Sequence, residues 1–340
     1  MNGKRWAALG IAVALFFFSL ITSLASSLFF STEEGGLFSG FSEAFEGTGE
    51  TFTEEIVEDG DEFTKIAILS VEGTIQDAGE SSLLYGSSGY NHQSFLEQLD
   101  YVAWNKEVAG IVVRVNSPGG GVVESAEIYH KIKEIQEEAD KPVYISMGGT
   151  AASGGYYISA PAEKIFATPE TLTGSLGVIM QSINYSELAE NIGIETVTIK
   201  SGPYKDIMSG DREMTAEEQK ILQDMIDNSY NQFVKIIAEG RGMSEAEVRK
   251  IADGRVYDGK QAKEIGLVDE YGYLDDVTAA MKKDLGIEDA MVVKYVHYAG
   301  LNSLFSVTAQ KVLGEKVELT NILRSVTQSN SPRLMYLYTE

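Results

Sequence analysis

The sequence AGIVVRVNSPGGGVVESAEIYHKIKEIQEEAD (109–140) places a short apolar run, three glycines and an amphipathic segment in direct succession. The first nine residues (109–117) have the length and the β-branched composition of a buried strand. Residues 122–140 carry apolar side chains at helical spacing, at Ala126, Ile128, Ile132 and Ile135. A strand that leads through a glycine turn into a helix is typical of an α/β fold.

The same alternation continues on both sides of this stretch. Further buried strands are predicted at 65–73, 141–149 and 163–171, and another strand is predicted at 194–200. A long amphipathic helix is predicted from Thr215 to Glu239, and the sequence TAEE at its start resembles a capping box formed by Thr215 and Glu218. Strands that alternate with helices predict mainly parallel pairing in the sheet.

Residues 1–30 are apolar apart from two basic residues near the start, Lys4 and Arg5, and the next charged residue is Glu33. As a helix, this run is long enough to span a hydrocarbon core of about 30 Å. The basic residues before it and the acidic residues after it predict a single-pass anchor with a cytoplasmic N-terminus. The alternative is a signal peptide cleaved near residues 23–25, whose small side chains suit a cleavage site. Both interpretations place the main domain outside the cytoplasm, at the cell membrane if the anchor is retained.

The anchor is followed by an acidic segment, with eleven acidic residues and no basic one between Glu33 and Glu62. Such a composition buries too little apolar surface to order itself, so a flexible, solvated stalk is predicted for residues 31–62. The folded domain is then expected at 63–300. Residues 301–340 are expected to form a C-terminal extension that ends in a mobile tail with an apolar patch.

The composition excludes several classes of function. The net charge of −24 argues against nucleic-acid binding, because phosphate contacts need clustered Lys and Arg. The absence of cysteine excludes disulfides and thiol catalysis. The three histidines, His92, His130 and His297, match no metal-binding pattern. No metal or cofactor is therefore predicted.

Two glycine-rich stretches are candidates for a site. In TAASGGYYISAP (150–161), Ser153 is either a nucleophile on a crowded turn or the N-cap of a helix. The turn after residue 117 lacks both the GxxxxGK[ST] and the GxGxxG spacing of phosphate-binding loops. Its glycines either form an oxyanion hole or are a structural turn.

A serine nucleophile needs a base, and nothing in the sequence brings a histidine to Ser153. His130 is predicted within the helix 122–140, His297 in a late strand and His92 in a polar loop. A lysine can serve where burial lowers its pKa toward neutrality. Lys205, in IKSGPYKDIMSG (199–210), is a candidate, although it could equally be a surface lysine paired with Asp206. Ser175, in the segment 169–180, could hold a neutral lysine amine or could be a turn serine.

Four stretches in this order, NSPGG, AASGGYY, TGSLGV and SGPYKD, resemble the signal peptide peptidase A family of membrane-anchored bacterial serine peptidases. The resemblance covers residues 64–295 and the anchor. It implies a ClpP/crotonase-like fold, a repeated β-β-α superhelix, and a Ser–Lys dyad. Site residues follow from it by position: Ser153 as nucleophile, Lys205 as general base, Ser175 as the hydroxyl that orients the lysine, and the backbone N–H groups of Gly120 and Gly154 as the oxyanion hole.

The resemblance also implies substrates and partners. These are remnant signal peptides, misfolded exported proteins and other apolar peptides, and an octameric ring in which Lys205 of one protomer serves Ser153 of its neighbour. Two alternatives share the fold. One is a crotonase-like acyl-CoA enzyme, and the other is an inactive membrane scaffold.

Overall fold

The computed structural model describes residues 52–77, 90–297 and 334–338. These residues form strands β1 (Phe52–Glu58), β2 (Asp61–Glu72), β3 (Val108–Ser117), β4 (Gly119–Gly121), β5 (Val143–Ala152), β6 (Lys164–Ala167), β7 (Leu172–Gly174), β8 (Val256–Asp258), β9 (Glu270–Tyr271), β10 (Ala290–His297) and β11 (Met335–Leu337). They also form helices α1 (His92–Trp104), α2 (Val122–Glu138), α3 (Gly154–Ser159), α4 (Ser186–Asn191), α5 (Ala216–Arg241), α6 (Glu245–Ile251), α7 (Gly259–Glu264) and α8 (Leu274–Leu285).

The main sheet has the strand order β1-β10-β2-β3-β5-β6-β9, with β7 beside β5 and β8 beside β7. Every pair from β10 to β9 in this order is parallel, and β1 is antiparallel to β10. A second, two-stranded sheet joins β11 to β4. The predicted α/β fold with mainly parallel pairing is confirmed.

Both faces of the sheet are covered. In β2, Ala67 and Leu69 point into a large core, while Ile66 and Ile68 point into a smaller core that includes Met281 of α8. Strands buried on both faces read as continuous apolar runs rather than as alternating ones. This explains why β2, β3 and β5 were readable from sequence.

The two predicted long helices are present. Helix α2 begins directly after Gly121, and its apolar side chains Ile128, Ile132 and Ile135 are buried. Helix α5 has the predicted capping box, in which the Thr215 hydroxyl accepts a hydrogen bond from the Glu218 N–H and the Glu218 carboxylate accepts one from the Thr215 N–H. Capping satisfies N–H groups that the first helical turn leaves free.

The ordered strands begin earlier than the predicted domain boundary at residue 63. Residues Phe52–Glu58 form β1, within the segment predicted to be a solvated stalk. Two of its acidic side chains form ion pairs although they are exposed: Glu54 contacts Lys65 at 2.8 Å and Glu58 contacts Lys282 at 2.9 Å. The prediction of a flexible stalk is therefore wrong for the strand residues 52–58 and 61–62, although most of their side chains are solvated, as predicted. The predicted anchor (1–30) and the rest of the stalk lie outside the described residues, and none of the described helices is long and apolar enough to cross a membrane.

The predicted strand at 194–200 is absent. These residues have no regular structure, and Ile194, Val197 and Ile199 are exposed by 58%, 80% and 97%. A β-strand requires a hydrogen-bonded neighbour, and the described part of this single chain offers none here. The apolar side chains of this segment are left exposed by the described part of the chain.

Candidate active site

Ser153 lies on the sharp turn between β5 and α3. Its backbone has φ 54° and ψ −115°, a conformation that a non-glycine residue rarely adopts, and the residue is 1% exposed. Such strain costs on the order of 1–3 kcal/mol and is found mainly at functional sites. Ser153 occupies the N-cap position of α3, but its side chain makes no capping hydrogen bond to the helix.

The sheet register brings Ser153 and Ser175 together. Ala152 of β5 is paired with Gly174 of β7, and the Ser153 N–H donates to the Gly174 carbonyl at 2.8 Å. Ser175 follows directly, with φ 49° and its N–H bonded to the Arg255 carbonyl at 2.7 Å. Because parallel strands end at the same edge of a sheet, the two serines follow adjacent strand ends.

The glycine strand β4 lies against the residue that follows Ser153. A Cβ added to Gly154 would lie 3.0 Å from the Gly120 nitrogen and 2.7 Å from the Ser125 hydroxyl. A Cβ added to Gly119, which has φ +99°, would lie 2.6 Å from the Gly154 nitrogen. Only glycine allows this approach, which brings the backbone amides of Gly120 and Gly154 to one place.

The C-terminal strand β11 pairs antiparallel with β4, with Tyr336 opposite Gly120. The Tyr338 N–H donates to Pro118 at 2.8 Å, so the alternation of an antiparallel ladder makes Gly120 and Tyr336 a hydrogen-bonded pair. On its other side, Met335 exchanges two 3.0 Å hydrogen bonds with Ile179. The tail predicted to be mobile thus forms, at residues 334–338, an extended segment in a slot beside Ser153. The slot is defined by Gly119–Gly121 and Ile179.

An aromatic pocket lies beside this slot, and sequence reasoning did not find it. The Tyr336 ring stacks on Tyr157 of α3 at 4.7 Å between centroids and packs on Phe233 of α5 at 4.8 Å. Its hydroxyl donates to the Ser229 carbonyl at 3.2 Å. Burial raises the pKa of Tyr157 to about 12, so the pocket is uncharged at neutral pH. Because its walls are far apart in sequence, no local motif marks it.

Lys205 is not brought to Ser153 within this chain. It is exposed on the turn 200–212, and among the described residues its amine makes no hydrogen bond to Ser153 or Ser175. Asp206 is not its partner either, since that carboxylate binds Lys200 at 2.6 Å and Arg212 at 2.7 Å. The alternative of a Lys205–Asp206 ion pair is therefore wrong.

None of the histidine contacts that the structure describes involves Ser153. His92, expected in a polar loop, is buried at the start of α1, between the Tyr90 hydroxyl at 2.5 Å and Glu127 at 2.6 Å. His130 lies within α2 and His297 within β10, as predicted. Among the described residues, no group of three His, Asp or Glu side chains is placed to hold a metal ion.

The fold and this geometry define a class of protein: an α/β protein with a buried serine on a strained turn, two neighbouring glycine amides and a slot for an extended chain. The model of "Peptidase family S49" matches residues 135–288. The "Putative signal peptide peptidase SppA" of Enterococcus faecium is 41% identical, over 99% of both chains. The chain therefore belongs to peptidase family S49 and is a serine-type peptidase, which confirms the resemblance found in the sequence.

More distant relatives agree. "Protease 4" of Salmonella typhi is 37% identical over 63% of this chain and 34% of its own. "Serine protease SPPA, chloroplastic" of Arabidopsis thaliana is 30% identical over 77% of this chain and 39% of its own. Among solved structures, a mutant of ClpP1 from Listeria monocytogenes aligns with 62% of this chain and 92% of its own, at 22% identity and a TM-score of 0.40. The ClpP/crotonase-like assignment stays a prediction.

Proposed function

We propose that this protein is an endopeptidase of remnant signal peptides and other apolar exported peptides, with Ser153 as nucleophile and Lys205 as general base. The observation that carries the proposal is the buried Ser153 on its strained turn, beside a slot that holds an extended segment of chain. The family assignment favours this activity over the acyl-CoA alternative.

The proposed chemistry is acyl transfer to serine. The Ser153 Oγ attacks the peptide carbonyl while its proton passes to the neutral Lys205 amine. The tetrahedral oxyanion accepts hydrogen bonds from the N–H groups of Gly120 and Gly154. As the C–N bond breaks, the lysine returns the proton to the leaving amine, and water then releases the acyl group. Ser175 is proposed to accept a hydrogen bond from the lysine and so to orient it.

The proposed substrate is an extended, apolar segment. A peptide in place of β11 would add an antiparallel strand to β4, so that main-chain hydrogen bonds provide binding and side-chain pockets provide selectivity. The pocket that holds Tyr336 is lined by Tyr157 and Phe233, which favours a large apolar or aromatic side chain at that position.

The base is proposed to come from a second copy of the chain. Ile194, Val197 and Ile199 form an exposed apolar surface on the segment that leads to Lys205, and single soluble chains rarely leave such surfaces uncovered. A neighbouring copy in an octameric ring would cover this surface and bring Lys205 to Ser153. A contact between unlike surfaces of identical chains closes into a ring when the rotation allows it.

The membrane location is proposed from residues 1–30 alone. The basic residues at the start and the long apolar run support a single-pass anchor with the catalytic domain outside the cytoplasm.

The test is cleavage of a fluorogenic leucine-rich peptide by the full chain, compared with turnover of an acyl-CoA. We expect cleavage of the peptide and no turnover of the acyl-CoA. Ser153→Ala should lose peptide cleavage while its fold is retained. The control is Ser70→Ala, an exposed serine of β2. Acyl-CoA turnover, or unchanged peptide cleavage by Ser153→Ala, would contradict the proposal.

A further inference from the structure

The turn 200–212, which carries Lys205, contains no helix or strand. The side chain that ties it down most is Arg212. Its Nη2 and Nε donate to the two carboxylate oxygens of Asp206 at 2.7 and 2.9 Å. Its Nη1 and Nη2 donate to the two oxygens of Glu218 at 2.9 and 2.5 Å. These three residues, Arg212, Asp206 and Glu218, are called the Arg212 clamp below.

The Arg212 clamp connects Lys205 to the rigid part of the molecule. Asp206 is the next residue after Lys205. Glu218 is buried and lies in the first turn of α5, where it also forms the capping box with Thr215. The far half of α5 is packed in the core through buried residues that include Phe233 and Ile237. The clamp therefore fixes a turn without regular structure to a helix held by the core.

The Arg212 clamp pairs one cation with two carboxylates. Hydrogen bonds from Arg212 and from the Thr215 N–H lower the pKa of Glu218 to about 2. Arg212 and Lys200 hold the pKa of Asp206 well below its usual range. Both carboxylates are therefore ionised at neutral pH, and Arg212 offsets their charge. A guanidinium can bind two carboxylates at once through its planar fork, which an ammonium cannot do.

We infer that Arg212 is a positioning residue for Lys205, an inference that rests on the proposed role of Lys205 as base. Arg212 fixes the turn so that the amine reaches the serine. It also offsets the charge of Asp206, the residue next to Lys205 in the chain. Without Arg212, the Asp206 carboxylate is expected to favour the charged form of the lysine.

The first test compares Arg212→Gln and Arg212→Lys with the control Arg249→Gln, an arginine on α6 that binds Asn231 and Glu245. For Arg212→Gln we expect kcat to fall about 100-fold, the loss typical of a misplaced catalytic group, with KM nearly unchanged. The rising limb of its pH–rate profile should move to higher pH. In Arg212→Lys, the rising limb of the pH–rate profile should stay at the pH of the parent protein, and kcat should fall in part. A reduced kcat in Arg212→Gln with no shift of the pH limb would overturn the electrostatic part of the inference.

The second test uses mixed rings and separates positioning from a general effect on folding. Ser153→Ala chains contribute only lysines, and Lys205→Ala chains contribute only serines. Arg212→Gln placed in the Ser153→Ala chain should abolish most of the complemented activity. The same change placed in the Lys205→Ala chain should leave that activity intact. Equal losses in both pairings would show that Arg212 is merely structural.

Two of these proteins, Lys205→Ala and the unmodified mixed pair, test the proposed function independently of Arg212. If Lys205→Ala keeps its activity, the lysine is not the base and the proposed function fails whatever Arg212 does. If the unmodified mixed pair co-assembles without activity, only the donation between protomers fails. The role of Arg212 is then decided by the pH profile of the uniform Arg212→Gln ring.

Discussion

Replacing Gly154 by alanine tests whether its backbone amide serves the reaction. Gly154 is the first residue of α3, where alanine is otherwise preferred over glycine by at most about 1 kcal/mol, the value for a helix interior. The added Cβ, however, would lie 2.7 Å from the Ser125 hydroxyl and 3.0 Å from the Gly120 nitrogen. The Ser125 hydroxyl is bonded to the Gly121 carbonyl at 2.8 Å, so relief of the contact must shift β4. Helix propensity therefore favours alanine at position 154, whereas the packing around this position favours glycine.

If the proposed oxyanion hole is correct, Gly154→Ala should lower kcat by about 10²–10³, the cost of losing one such donor. Thermal unfolding should change little, because the helical preference offsets part of the local strain. The matched control is Gly149→Ala, in β5, where the nearest atom to the added Cβ is the Asn116 amide oxygen at 3.8 Å. A Gly154→Ala protein with kcat within about threefold of the parent would refute the assignment of this amide.

Three further outcomes are expected. Ser153→Ala and Lys205→Ala should each abolish cleavage, by several orders of magnitude, and should regain part of it when co-assembled; verified mixed rings without activity would place the dyad within one chain. Activity should rise with pH, because only a neutral lysine amine can accept the serine proton, whereas a rise through about 6.5 that is lost on replacing a histidine would indicate a histidine base. Ile199→Asp should reduce the oligomer size in light scattering, while Ile56→Asp, an exposed residue of β1, should not; an unchanged assembly in Ile199→Asp would exclude this surface from the interface.

The parts of the fold that could be predicted from sequence are those determined locally. Residues 109–117 are apolar throughout because β3 is buried on both faces, and Thr215 with Glu218 caps α5 within four residues. Ser153 was a candidate from its local sequence, but only the family resemblance distinguished a nucleophile from an N-cap. The closeness of Ser153 to Ser175 was not predictable in this way, since it depends on the pairing of β5 with β7.

The remaining features depend on partners that are distant in sequence. Strand β1 was taken for stalk because its acidic composition does not reveal that Glu54 pairs with Lys65 and Glu58 with Lys282. Lys282 is more than two hundred positions away from Glu58. The apolar pattern of 194–200 predicted a strand, but a pattern does not say whether the neighbouring strand belongs to the same chain. The aromatic pocket has walls from α3 and α5 and an occupant from the C-terminus, so no single stretch contains it.

Strand β11, whose Tyr336 occupies the aromatic pocket, is expected to compete with peptide substrates. Residues 334–338 fill the slot in which a substrate strand is proposed to bind, and Tyr336, 1% exposed, fills the aromatic pocket. Deleting residues 334–340 should therefore lower KM for a peptide substrate and leave kcat nearly unchanged, because the tail competes for binding and takes no part in the chemistry. Burying a large aromatic side chain stabilises by about 1.5–3 kcal/mol, which corresponds to a competition of about 10- to 150-fold.

The single change Tyr336→Ala should give most of this effect, and Tyr338→Ala, which keeps its backbone bond to Pro118, should give little. A synthetic peptide of residues 331–340 should inhibit the truncated enzyme competitively, and its counterpart with alanine at 336 should inhibit it less. If the truncated and full-length proteins have the same KM, peptides do not bind where β11 lies. The proposal that Gly119–Gly121 and Ile179 form the substrate slot would then be wrong, because a segment held there by hydrogen bonds on both sides must be displaced before another strand can enter.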